Sequence, residues 1–293
     1  LDVLEDATLR LQPDEDRITL QGASMGGIGA FRLGTRHPDL WSAVVPIIGY
    51  APPETEPLLT NLTGVPIRQI NGADDPLIDA AEAEATTDLL DELELSYRAW
   101  MLDGRGHEAG GHVYDCVYAE LPDLERDPSP GRVSYTVDPR TFESDEATGL
   151  DLSYDGAWWV SGIEPAGDEP ATVTAVSAAE EDVELEAVHL DREGTSDEQD
   201  GGDLCGENPD VATGDTWRER AVELEVVEER EPSNQITVTF ADVGSATLDL
   251  EGAGIPGGEE AVVSVESDGA AMLVLVGLAP GQVVEVDGDE VEA

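Results

Sequence analysis

The segment Arg17–Arg36, RITLQGASMGGIGAFRLGTR, decides the fold. RITLQ (17–21) reads as a short buried strand. Residues 25–36 read as a helix, ended by His37-Pro38 because the residue before a proline is pushed out of the helical region. Between them, Gly22-Ala23-Ser24-Met25-Gly26 fits G-x-S-x-G. In a chain with 31 glycines that pattern alone says little. A strand before it and a helix after it make it a nucleophile elbow, in which a serine sits on a tight strand-to-helix turn. Gly22, Gly26 and Gly27 are expected where a Cβ would clash with the adjacent strand or helix. The helix N-terminus places its positive end beside Ser24, and the Met25 N–H is the expected oxyanion donor.

Strand and helix alternate on both sides of the elbow. Residues 3–12 read as the end of an amphipathic helix, and Pro13–Asp16 as a turn. Downstream, strands are expected at 43–48, 65–71 and 96–102. A helix is expected at 79–94 with Leu89, Leu90 and Leu93 on its apolar face, and a last helix at 112–121. This order predicts an α/β fold, a parallel sheet covered by helices.

A serine nucleophile needs a base, and the base an orienting carboxylate. In this arrangement they follow in the order Ser, acid, His, on loops leaving the carboxyl ends of later strands. VPIRQIN (65–71) is followed by Gly72-Ala73-Asp74-Asp75-Pro76-Leu77, and SYRAWML (96–102) by Asp103-Gly104-Arg105-Gly106-His107. The acid is Asp75 or Asp74, with Asp75 preferred directly before Pro76. The base is His107, whose flanking glycines let the loop carry an imidazole over a serine. His112 is its rival at the start of the last helix. His37 reads as a helix-end cap and His189 as a strand-face residue. HEAGGH (107–112) lacks the spacing of a zinc helix motif, so no metal and no cofactor are expected.

Near Arg126 the pattern changes. DPSPGR (127–132) reads as a linker, and helical periodicity stops. Short alternating runs follow at 132–137, 157–163, 171–176, 183–190, 221–227, 235–240, 246–250, 261–266, 271–276 and 282–287, with an acidic, glycine-rich loop expected at 191–216. The expected domains are therefore 1–126, α/β, and 127–293, all-β.

Sixty-six acidic residues face fourteen basic ones, all arginine, for a net charge of −52. Such a chain is repelled by phosphate backbones and anionic lipid, which excludes nucleic-acid and membrane-surface partners. No apolar run approaches the length of a membrane span. Cys116 and Cys205 are too few for a disulfide framework. The acids are spread along the whole chain, which favours a solvent adaptation over a patch for calcium or a cationic partner. In molar salt the Debye length falls to about 3 Å, and such a surface stays hydrated. The composition resembles that of proteins from extreme halophiles.

QGASMGGIGAFRLGTRHPDLWSAVVPIIG, VPIRQINGADDPL and DGRGH, in that order, resemble the catalytic region of the prolyl oligopeptidase-like branch of the α/β-hydrolases. They are also similar to predicted peptidases and esterases of the polyhydroxybutyrate depolymerase kind. The resemblance covers roughly residues 1–121 and implies a serine hydrolase acting on a peptide or ester, with Ser24 as nucleophile, Asp75 as acid and His107 as base. Such domains carry further strands before the elbow, and an early loop with a second oxyanion N–H. A chain opening at Leu1 is therefore expected to be truncated at its N-terminus, with a bare sheet edge and weak or no activity alone. The alternative function is a carbohydrate- or surface-binding protein on a degenerate hydrolase scaffold, with Trp158 and Trp159 in AWWV stacking on sugars.

Overall fold

The computed structural model of the protein describes residues 2–108, 113–141, 154–180, 182–196 and 215–292. The chain opens with α1 (Asp2–Leu11) and continues through β1 (Thr19–Ala23), α2 (Met25–Arg36), β2 (Ala43–Ile47), β3 (Ile67–Gly72), α3 (Ala80–Glu92), β4 (Tyr97–Leu102) and α4 (Val113–Glu120). Strands dominate the rest. They are β5 (Arg132–Val137), β6 (Val160–Pro165), β7 (Ala171–Ser177), the long β8 (Asp182–Ser196) and β9 (Asp215–Arg230), β10 (Gln235–Ala241), β11 (Val243–Asp249), β12 (Ala261–Ser267), β13 (Met272–Val276), β14 (Val283–Val286) and β15 (Asp289–Glu292). No helix among the described residues is long and apolar enough to cross a membrane.

Two compact units result. The first comprises Leu1–Glu56, Val65–Asp127 and Ala187–Glu223; the second comprises Pro57–Gly64, Pro128–Glu186 and Leu224–Ala293. This corrects the single boundary expected at 126/127. The physical reason is the edge of β4, whose unpaired N–H and C=O groups need a neighbour. β9 supplies it, pairing antiparallel from Tyr97↔Val222 to Leu102↔Trp217. The expected loop at 191–216 is corrected at both ends, because 191–196 continue β8 and 215–216 begin β9. The residues between lie outside those described, as do His112, Cys205 and the side chain of Cys116.

The first unit holds a six-stranded sheet of order β1-β2-β3-β4-β9-β8, in which β1 to β4 run parallel. Parallel strands with helices between them are the layered arrangement of an α/β fold. β2 and β3 are buried at every residue, as strands covered on both faces are. β3 starts after Pro66, which has no N–H to donate but whose carbonyl accepts from Val44 at 2.9 Å. β1 begins two residues later than expected and is only half-buried, because Glu15–Arg17 form a 3-10 turn capped by Asp14 and β1 lies at the sheet edge. In α3 the buried face is Ala83, Thr86, Thr87 and Leu90; of the expected leucines Leu90 is buried, Leu89 half-buried and Leu93 exposed. The observed set follows the i, i+3, i+4, i+7 spacing of one helical face. Ile47, Ile70, Trp100, Leu102, Val117 and Trp217 form a core that joins β2, β3, β4, α4 and β9.

The second unit is built from two sheets, of order β15-β14-β12-β10-β7-β5 and β13-β11-β6. From β10 to β14 the chain alternates between them: β10, β12 and β14 are parallel neighbours in one sheet, β11 and β13 in the other. Tyr135, Val173, Trp159, Phe240, Leu248 and Val263 belong to the core of this unit. The expected strand at 157–163 begins only at Val160, because Trp158 has φ of +53° and turns the chain. Trp159 is buried and donates its indole N–H to the Pro130 carbonyl at 2.8 Å. Trp158, half-buried, packs on the same core. Trp159 therefore serves packing, while Trp158 keeps part of its surface exposed.

Candidate active site

The elbow forms where β1 hands over to α2. Ser24 has φ 57° and ψ −121°, a conformation that L residues avoid. Strain of this kind costs about 1–3 kcal/mol and persists only where the surroundings hold it. Here the Ser24 N–H donates to the Ile47 carbonyl at 2.9 Å, and the Ser24 carbonyl accepts from Gly27 and Ile28 at 2.8 and 3.2 Å. Ile48, at the end of the adjacent strand, also has positive φ, +50°, and is held by donation from its N–H to the Ile70 carbonyl at 2.7 Å.

Close backbone approach explains the glycines, with one correction. A Cβ on Gly22 would stand 2.0 Å from the Gly26 carbonyl oxygen, and one on Gly27 would stand 2.5 Å from that of Ile47. A Cβ on Gly26 would meet nothing within 4 Å, so no clash requires that glycine. The residue missing from the sequence reading is Gly49, whose Cβ would lie 2.6 Å from the Gly27 carbonyl carbon. A glycine directly after a strand and its next residue was the available signal.

The loops after β3 and β4 are stitched together in the same way. A Cβ on Gly72 would lie 2.5 and 2.6 Å from the carbonyl oxygens of Arg105 and Gly106. The Asp74 N–H donates to the Arg105 carbonyl at 2.9 Å, and the Ala73 N–H to that of Leu102 at 2.9 Å. The exposed Asp74 thus pins the loop through its backbone, while Asp75 turns inward.

The structure brings Ser24, His107 and Asp75 together. Ser24 Oγ lies 2.8 Å from His107 Nε2. His107 Nδ1 lies 2.9 and 3.1 Å from the Asp75 carboxylate oxygens. The His107 side chain is 28 % exposed and that of Asp75 only 1 %. Burial pushes the Asp75 carboxyl up, but the N–H groups of Leu77 and Ile78 and the His107 ring outweigh it, leaving the pKa below the usual carboxylate range. An ionised carboxylate only accepts hydrogen bonds, so Nδ1–H is the donor to it, and in the neutral ring Nε2 is left to accept from the serine hydroxyl. Met25 opens α2 directly after Ser24, so its N–H is among the helix-end donors without an intrahelical partner. Of the other histidines, His37 ends α2 with its N–H on the Leu33 carbonyl, and His189 on β8 faces Asp91 at 3.3 Å. Elsewhere in the first unit, a cavity of about 240 Å³ is lined by Gln69, Asn71, Thr87, Asp88, Arg218 and Arg220, among others, and by no member of the Ser24 group.

No protein-family model matches the chain, and no curated protein matches it. Among solved structures it is similar to esterase PE8, with 23% identity and a TM-score of 0.37, over 42% of this chain and 57% of that one. It is also similar to two variants of SOBER1 from Arabidopsis thaliana. One matches with 16% identity and a TM-score of 0.36, the other with 15% and 0.34, each over 42% of this chain and 60% of that one. The chain thus spans about three fifths of the length of these structures.

Proposed function

We propose that this chain carries the catalytic core of a serine hydrolase that cleaves an ester or peptide bond through Ser24, His107 and Asp75, in the manner of prolyl oligopeptidase-like enzymes. The observation that carries the reading is the unbroken path from Ser24 Oγ through both His107 nitrogens to Asp75, starting at a serine with positive φ.

Ser24 Oγ attacks the substrate carbonyl while His107 Nε2 takes its proton. Asp75 holds the ring with Nδ1–H toward itself and stabilises the imidazolium that forms. The oxyanion develops against the Met25 N–H, a contact worth about 100- to 1,000-fold in rate. His107 then returns the proton to the leaving alcohol or amine. Water enters, is deprotonated by His107, and releases the acid from the acyl-enzyme. The acidic, lysine-free surface fits a working medium of molar salt.

A fluorophosphonate probe in molar KCl tests the assignment, because it forms a stable adduct with an activated serine. Labelling at Ser24, lost in Ser24→Ala and strongly slowed in His107→Asn, is expected. Labelling at a residue other than Ser24, or equal labelling of the Ser24→Ala variant, rejects it. Turnover of a nitrophenyl ester against a proline-containing amide then separates esterase from peptidase.

A further inference from the structure

Strand β13 reads MLVLV and has no polar residue on either face. Such a run belongs to a strand buried on both sides, yet among the described residues β13 ends its sheet, with β11 as its neighbour. Met272, Val274 and Val276 are 60%, 37% and 41% exposed on one face. Leu273 and Leu275, toward the core, are only partly buried. In the other sheet the corresponding place is filled: β14 lies beside β12, and β15 covers β14.

Sheet edges are normally defended by charge or proline. In this unit β15 carries Asp289, Glu290 and Glu292, β6 carries Glu164 and ends on Pro165, and β5 begins with Arg132. β13 has no such residue. It lies within Gly269–Val284, the longest uncharged run of a chain in which 27% of residues are charged.

We propose that β13 is an interface between two copies of this chain, joined antiparallel about a two-fold axis through Val274. Charge identifies the occupant. Each copy carries −52, so a second copy can dock where no carboxylates are brought face to face, whereas a cationic partner would be drawn to the acidic surface that β13 lacks. With Val274 on the axis, Met272 meets the partner's Val276, and residues 269–279 meet 279–269 with no charge among them.

The backbone agrees with this register. The Val276 carbonyl accepts from the Leu250 N–H at 3.1 Å, so it points toward the β11 side. Alternation then directs Val274 and Met272 the same way, and Leu273 and Leu275 outward. Leu273 and the partner's Leu275 become the hydrogen-bonded pair. Val274 faces the partner's Val274 in the non-hydrogen-bonded pair, where side chains are closest. The contact is isologous, as a two-fold axis requires.

Sedimentation of the full chain at about 0.1 M and about 2 M KCl tests this, since screening removes the repulsion between the acidic surfaces. The wild type is expected to dimerise, more tightly at high salt. Val274→Glu and Val274→Lys each place like charges on the axis and are expected to weaken the dimer at least about tenfold, with unchanged circular dichroism. Mixing the two variants is expected to restore dimers, because residue 274 faces itself only in this register. A wild type that is monomeric at both salt concentrations, a Val274→Glu variant that dimerises normally, or a mixture that stays monomeric overturns the proposal.

Discussion

The Ser24 N–H donates to the Ile47 carbonyl at 2.9 Å, so the strained turn of one strand is fastened to the end of the next. One residue beyond Ile47, Ile48 also has positive φ, and Gly49 then passes against Gly27 at the start of α2. The position of the hydroxyl is thus set by two neighbouring strand ends and the first turn of a helix.

Gly49→Ala would press a methyl group into the Gly27 backbone. It is expected to destabilise the protein by about 1–3 kcal/mol and to slow fluorophosphonate labelling by shifting α2. Gly26→Ala, in open space on the same helix, is expected to be neutral or to stabilise by up to about 1 kcal/mol. Urea unfolding of both variants checks the contrast; equal losses would contradict the packing described.

Ser24→Gly is expected to abolish labelling and yet raise stability by about 1 kcal/mol, because glycine adopts positive φ without strain. Its urea midpoint should exceed that of the wild type. A fall would mean that the serine side chain contributes more to the fold than its backbone costs.

Asp75→Asn is expected to reduce turnover by about ten-thousand-fold, since the ring then loses its tautomer. Its stability effect depends on pH. The folded pKa of Asp75 lies below the unfolded one, so the stabilisation is complete above the unfolded value of about 3.9 and is lost as pH falls through the folded value. The difference in unfolding free energy between wild type and variant should be largest at neutral pH and shrink below about pH 4. A difference independent of pH would count against an ionised Asp75.

Glu219 on β9 behaves in the opposite sense. It is 4% exposed. Burial raises its pKa, and Arg98 and Arg192 only partly counter this. Its contribution is therefore fully present below the unfolded value of about 4.3 and is lost as pH rises through the folded value. Glu219→Gln is expected to stabilise the protein at neutral pH, with the gain vanishing near pH 4. Paired denaturation curves at the two pH values check the sign.

The α/β half was readable because its signals are local. Gly22-Ala23-Ser24-Met25-Gly26 sits between a strand and a helix, and β2 and β3 are buried on both faces with few charges to obscure them. Ser24, Asp75 and His107 could be chosen together because strand order dictates which loops leave the same edge. Asp74 and Asp75 could not be separated that way, since what divides them is which one spends its N–H on Arg105. The pairing of β9 with β4 was hidden for a related reason. Of the residues that pair with β4, Trp217–Val222, only Ala221 and Val222 fall in AVELEVV, and no local feature tells that strand which edge to join. The acidic composition also concealed the ends of β8 and β9, where Asp191–Ser196 resemble a loop by residue type yet are extended.

Because β9 completes the sheet that starts with β1, biosynthesis cannot finish the α/β unit when the ribosome reaches Asp127. That half must wait, with β4 exposed, until nearly a hundred more residues have been made. A protease nick in the DPSPGR linker of the mature protein would cut the chain without freeing either half.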